Sequence, residues 1–236
     1  MTAQSEAHPS TGQPVGSAVD ATPAQRPGPV MLEGRYGHIE RLAQQHDATL
    51  WKALDGHDAT WTYMGYGPFA DSAAFSRWLA SRVTLDDPYS YAIVDRSGLA
   101  VGIATLMEIR PAMRVIEVGN IVYSPALQRT PLGSEAQYLL ARYAFETLGY
   151  RRYEWKCNAL NAPSRRAALR YGFAFEGILR QHMIVKGRTR DTAYFSMLDG
   201  EWPARKAAFE RFLADENFDA EGRQKVGLSQ LNGIAG

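Results

Sequence analysis

The chain has 236 residues, 45% hydrophobic and 22% charged, which supplies a core for one domain of ordinary size and excludes global disorder. Its 26 basic and 25 acidic residues nearly cancel, which argues against a nucleic-acid-wrapping surface and a polybasic membrane patch. The lone cysteine, Cys157, cannot close an internal disulfide, and no His/Cys cluster has zinc spacing, so no metal site is expected.

Residues 1–29 are rich in Ser, Thr, Pro, Gly, Gln and Ala without a period and read as a disordered extension. They lack the pattern of a secretory signal, and no apolar stretch approaches the roughly 18–20 residues that span a bilayer, so a cytoplasmic location is expected. The folded domain is expected over 30–215, with a flexible tail over 216–236. Val30 to Leu42 reads as a first strand. Helices are predicted over 44–55 and 71–83, the second with Asp71 as N-cap and Phe75, Trp78 and Leu79 at helical spacing. Between them lies an aromatic, glycine-punctuated loop carrying Trp61, Tyr63 and Tyr66. Strands follow at 91–94, 100–106 and 115–123, the first two joined by Ser97-Gly98. Then the period changes to an amphipathic helix over 134–148, a short strand at 153–157 and a helix over 162–171. A hairpin of 174–185 and 192–198 and a last helix over about 201–214 complete an α/β (α+β mixed) order.

Gln128 to Ala136 follows a strand and opens a helix. The first turn of a helix leaves backbone N–H groups without partners, and with the helix dipole they form an anion site suited to a pyrophosphate. Gly133 permits close approach of the backbone. The same loop is equally an ordinary turn in which Thr130 or Ser134 caps a helix. Further on, Asn161 is a natural N-cap and Pro163 fits a first turn. Gly172 suits a left-handed helix end with Phe173 packing back.

Taken in order, Glu117-Val118-Gly119, Gln128 to Ala136, Ala144-Phe145, Asn161 with Ser164, Gly172-Phe173 with Glu176-Gly177 and Arg180, Arg190-Asp191 and Glu201-Trp202 resemble the RimJ/RimL branch of the GNAT acetyltransferase superfamily. The resemblance spans roughly residues 30–205. It implies a central, mostly antiparallel twisted sheet, splayed between its fourth and fifth strands and flanked by helices, with acetyl-CoA in the gap. It implies an acetyl-CoA-dependent N-acetyltransferase in which a primary amine, on a peptide, a protein N-terminus or a small molecule, attacks the thioester directly. Such an enzyme is expected to be a monomer or homodimer with no nucleic-acid or membrane partner.

By that resemblance, Gln128 and the amides of Arg129, Thr130, Leu132, Gly133 and Ser134 hold the CoA pyrophosphate. Pro131, which has no N–H, stands where the family carries its first glycine. Ile121, Val122 and Tyr123 pair with the pantetheine arm as an added strand, and Asn161 and Ser164 bond the same arm. An amide near Ile121–Val122 polarises the thioester carbonyl. Glu117 is the candidate acceptor of the amine proton; the alternative is that it pairs with an arginine or faces solvent. The family's thiol-protonating tyrosine falls on Ala168, which leaves Ser164 or Tyr171 as donor. A carboxylate used by some relatives falls on Met183, and His182 is expected on the opposite side of its strand. Trp61, Tyr63 and Tyr66 either border the acceptor pocket or pack in the core. The competing readings are a non-catalytic acyl-CoA-binding module and an unrelated phosphate-binding domain.

Overall fold

The computed structural model of the chain describes residues 5–233, so expectations for residues 1–4 and 234–236 lie outside it. A small hairpin of β1 (Ser5–Ala7) and β2 (Pro14–Gly16) is followed by β3 (Leu32–Glu33), β4 (Gly37–Arg41), α1 (Asp47–Leu54) and α2 (Ser72–Val83). Next come β5 (Tyr89–Asp95), β6 (Ala100–Arg110), β7 (Val115–Tyr123), α3 (Pro131–Arg142), β8 (Arg152–Asn158) and α4 (Ala162–Arg170). The chain ends through β9 (Ala174–Val185), β10 (Arg188–Leu198), α5 (Trp202–Leu213) and α6 (Leu228–Leu231).

Strands β3 to β10 form one sheet in the order β3-β4-β5-β6-β7-β8-β10-β9. Every pairing in it is antiparallel except β7 with β8. Parallel neighbours cannot be joined by a tight turn, so the chain crosses between these two through α3. This is the mixed, mostly antiparallel sheet expected from the sequence.

Helices cover the two faces unequally. On one face Leu50 and Leu54 of α1 and Phe75 and Leu79 of α2 pack against Ala92, Val94, Ile103 and Val122. On the other, Leu139 and Leu140 of α3, Ala168 of α4 and Phe209 and Phe212 of α5 pack against Ile93, Leu106, Val118 and Phe195. Burying each large apolar side chain contributes about 1.5–3 kcal/mol, so this larger second layer dominates stability. Asp71 caps α2 as expected, accepting from the Ala74 amide at 2.7 Å.

Several boundaries differ from expectation: the first strand expected over 30–42 is the β3–β4 hairpin, and β10 starts at Arg188 instead of 192. The central helix starts at Pro131 instead of residue 134, because Thr130 is its cap and proline is tolerated at the first helical position. It then closes through a π-turn, Tyr143–Thr147. The expected extension is docked at its end: the Gln25 amide donates to Leu148 O (2.8 Å), the Gly28 amide to the Tyr143 hydroxyl (3.1 Å) and the Tyr91 hydroxyl to Gly28 O (3.1 Å). Past residue 215 the chain stays packed, with Leu228 fully buried and the Asn217 side chain bonded to Phe212 O and to both polar backbone atoms of Val226. Both segments attach through backbone bonds and single side chains, which leave no periodic signature in the sequence.

Candidate active site

The parallel pairing of β7 with β8 is short. Its last pair is Val118 with Trp155; beyond it, Gly119–Tyr123 and Lys156–Asn158 do not pair with each other, and a wedge opens. A bulge in β7 sits at the mouth of this wedge. Ile103 pairs with Val122 and Thr105 with Gly119, so Asn120 and Ile121 together face one residue of β6, and Asn120 takes a left-handed φ of 47°. The extra residue reverses the facing of the strand. Before it, Ile116 and Val118 point into the α3/α5 core; after it, Ile121 and Tyr123 pack there and Val122 joins the α1/α2 core. The unpaired backbone of Ile121–Tyr123 is the edge along which an extended arm could add as a strand.

Glu117 lies at the apex of the wedge, 5% exposed. It pairs with a lysine, where the sequence offered an arginine or solvent: Lys156 Nζ is 2.9 Å from its Oε2. The same ammonium is 3.2 Å from Glu154 Oε2 and 4.7 Å from the centre of the Tyr194 ring. Glu154 is also held by Arg110 (2.6 Å) and Arg152 (2.8 Å), and Arg152 forks onto Glu176. Burial pushes the Glu117 carboxyl up to about 7, with Lys156 pulling the other way. Burial works against the charge of Lys156, but Glu117, Tyr194 and Glu154 together hold its pKa above the ordinary lysine range. Gly119 leaves room for this cluster, since a Cβ there would lie 2.6 Å from Met107 Sδ and 3.2 Å from Glu117 Oε1.

The start of α3 lies at the other end of β7. Thr130 Oγ1 accepts from the Gly133 amide at 3.2 Å and donates to Leu127 O at 2.7 Å. The Thr130 amide reaches Leu127 O at 3.4 Å. The amides of Arg129 and Leu132 donate to no acceptor among the described residues. Gln128 and Arg129 are exposed, with the Gln128 amide group donating to Tyr123 O at 3.0 Å. A Cβ on Gly133 would lie 3.0 Å from Leu127 O and 3.2 Å from the Tyr123 ring, so glycine keeps the loop tight against the strand. Free amides at a helix N-terminus, beside an exposed arginine, suit a diphosphate. Ser134 is buried and accepts from Arg170 Nη1 at 3.0 Å.

The candidate catalytic groups occupy different places. Ser164 is half-buried beside β8, its hydroxyl 3.1 Å from Trp155 Nε1 and its amide capped by Asn161 Oδ1 at 3.1 Å. Tyr171 is packed within the α3/α5 core, its ring 5.9 Å from Trp155 and 6.0 Å from Phe209, and deep burial raises its pKa. Ser134 and Arg170 act on its hydroxyl, which places it at the α3 end of the cleft. Glu117 lies with Lys156, whose ammonium sits over the Tyr194 ring.

The geometry selects between the two readings of Trp61 and places His182. Trp61 is 2% exposed and packs against Tyr66, Phe69 and Trp78 at 5.2–6.0 Å, so it is core. Its loop still spans the cleft: Tyr63 donates to Leu160 O (3.2 Å), and Lys186 donates to Trp61 O (2.9 Å). The β9 register shifts between the partners of Arg190 and Thr192, bringing His182 Nδ1 to 3.0 Å from Thr192 Oγ1 and its ring to 6.1 Å from Tyr194. That is the face holding Lys156. Lys156 and Tyr194 went unnoticed in the sequence; a lysine one residue past a short buried strand core was the available signal.

Among the described residues, no group of three or more His, Cys, Asp or Glu is placed to hold a metal ion, and no helix is long and apolar enough to cross a membrane.

Residues 39–174 match the family described as acetyltransferase (GNAT) domain. The chain is similar to the crystal structure of a GCN5-related N-acetyltransferase from Brucella melitensis, with 46% identity and a TM-score of 0.89 over 91% of this chain and 99% of that one. It is also similar to a probable GNAT-family acetyltransferase from Chromobacterium violaceum, with 41% identity and a TM-score of 0.76 over 84% and 100% of the two chains. A RimL ribosomal L7/L12 α-N-protein acetyltransferase shares the fold, with 18% identity, a TM-score of 0.62 and coverage of 72% and 94%. No curated protein matches the chain.

Proposed function

The chain belongs to the GNAT acetyltransferase family, and from that premise we propose that it transfers the acetyl group of acetyl-CoA to a primary amine by direct attack on the thioester. The observation that carries this reading is the wedge between β7 and β8, with unpaired strand edge along it and free amides of α3 at its end.

Acetyl-CoA, the family's co-substrate, brings the thioester. Arg129 and the amides of Arg129 and Leu132 hold its pyrophosphate, with Gln128, Thr130, Gly133 and Ser134 shaping that loop. The backbone of Ile121, Val122 and Tyr123 bonds the extended arm, and Asn161 and Ser164 flank it from α4. An amide of the bulged Ile121–Val122 segment donates to the carbonyl oxygen as negative charge grows there. Glu117 takes the amine proton directly or through water as the C–N bond forms and the C–S bond breaks. The Ser164 hydroxyl donates a hydrogen bond to the departing thiolate, which takes its proton from water. Tyr171 stabilises the core and takes no part in the proton transfers.

The ordered motifs favour the RimJ/RimL branch, and with it a peptide or protein α-amine as acceptor. The single, buried cysteine agrees with a cytoplasmic setting. The test is thiol release from acetyl-CoA across a panel of short peptides and small amines. Release with at least one amine supports the proposal; binding of acetyl-CoA with no release on any amine contradicts it.

A further inference from the structure

We infer that Lys156 is the positioning residue of the proposed base: it grips Oε2 of Glu117 and leaves Oε1, at the Gly119 edge of the wedge, as the proton acceptor. The inference rests on the reading of Glu117 as that base. Lys156 is the first residue of β8 past the last parallel pair, so its side chain stands where the wedge opens. Both partners are withdrawn from water, with 12% of the Lys156 side chain and 6% of the Glu117 side chain exposed.

The charges around them assign the ammonium to Glu117. Glu154, the other carboxylate within reach, already has two cations of its own at 2.6 and 2.8 Å, Arg110 and Arg152. Glu117 has only Lys156, at 2.9 Å, and its Oε1 accepts no hydrogen bond from the described residues. From β6, Glu108 and Arg110 face this cluster; from β8, Arg152, Glu154 and Lys156; from β10, Tyr194; and from β9, His182 beside Tyr194 and Glu176 behind Arg152. Desolvation alone drives a buried carboxyl to its neutral form, which has no lone charge to receive an amine proton. The ammonium opposes that and holds the carboxylate in place. A salt-linked cation at such a distance shifts an acid by about one to three pH units.

The experiment follows the Glu117 carboxyl directly by carbon NMR titration of the full chain, assigned with Glu117→Gln, while acetyl transfer is measured against pH in parallel. In Lys156→Met the Glu117 inflection moves up by about one to three pH units, and the low-pH limb of the transfer rate moves with it. Lys156→Arg, which keeps the charge, holds the inflection near the wild-type value. Lys156→Gln, which removes the charge but keeps a polar side chain, moves the inflection up in the same way and decides the matter if Lys156→Met fails to fold. A Glu117 inflection unmoved in folded Lys156→Met or Lys156→Gln overturns the role of Lys156. Acetyl transfer persisting in the wild type under that result leaves the proposed activity standing; wild type that transfers to no amine overturns the activity itself, whatever the carboxyl does.

Discussion

A carboxylate buried at the apex of a splayed sheet must be either neutral or paired, because an isolated buried charge is too costly to hold. Glu117 meets that constraint through Lys156, and burial brings its pKa to the neutral range, where a general base is most effective. Above about pH 7 the carboxylate is ionised and accepts a proton; below it the carboxyl is protonated and does not. The acetyl-transfer rate of the wild type therefore falls as pH drops through about 7. Glu117→Gln loses roughly 10²–10⁴-fold in kcat, lacks that limb and keeps its affinity for acetyl-CoA, as steady-state rates and calorimetry will report. The sequence named Glu117 but not its partner. The pair depends on the parallel register of β7 with β8, which no local pattern encodes. The β9 register shift beside His182 likewise leaves no mark in an alternating strand pattern.

At the scale of elements, local chemistry was more legible. Asp71 before an apolar helical repeat gave α2, Ser97-Gly98 gave the β5–β6 turn, and Asn161 with Pro163 gave the start of α4. The start of α3 was harder, because Thr130 and Ser134 were both plausible caps. Thr130 wins: its hydroxyl satisfies the Gly133 amide and braces Leu127 O, while Ser134 turns inward to Arg170. Replacing Thr130 with Ala removes the cap and lowers stability by about 1 kcal/mol, measurable by urea unfolding. Because α3 carries the crossover between the two strands that splay, its start fixes where the wedge ends. The bulge at Asn120 did leave a signal that the strand reading passed over, a glycine followed by an asparagine inside an otherwise apolar run.

Over the whole molecule, the two apolar layers were legible because their residues recur at strand and helix periods. The terminal segments were not, since their attachment is made of single bonds to distant elements. The stretch around Gly28 ties the Tyr143 hydroxyl at the π-turn to the Tyr91 hydroxyl of β5, and Gln25 closes on Leu148. Each such bond contributes about 0.5–1.5 kcal/mol, so deleting residues 1–29 is expected to cost about 2–4 kcal/mol in denaturant unfolding. Deleting only residues 1–19 leaves those three bonds and should leave stability close to that of the full chain.

The first turn of α3, at the open end of the wedge, is proposed to seat a diphosphate. Calorimetry with coenzyme A on the full chain and on Gly133→Val tests it most directly. The wild type is predicted to bind, and the variant, folded by circular dichroism but with its loop pushed off Leu127 and Tyr123, to bind at least about tenfold more weakly, or about 1.4 kcal/mol. No heat from the folded wild type, or equal affinity in the variant, would contradict it.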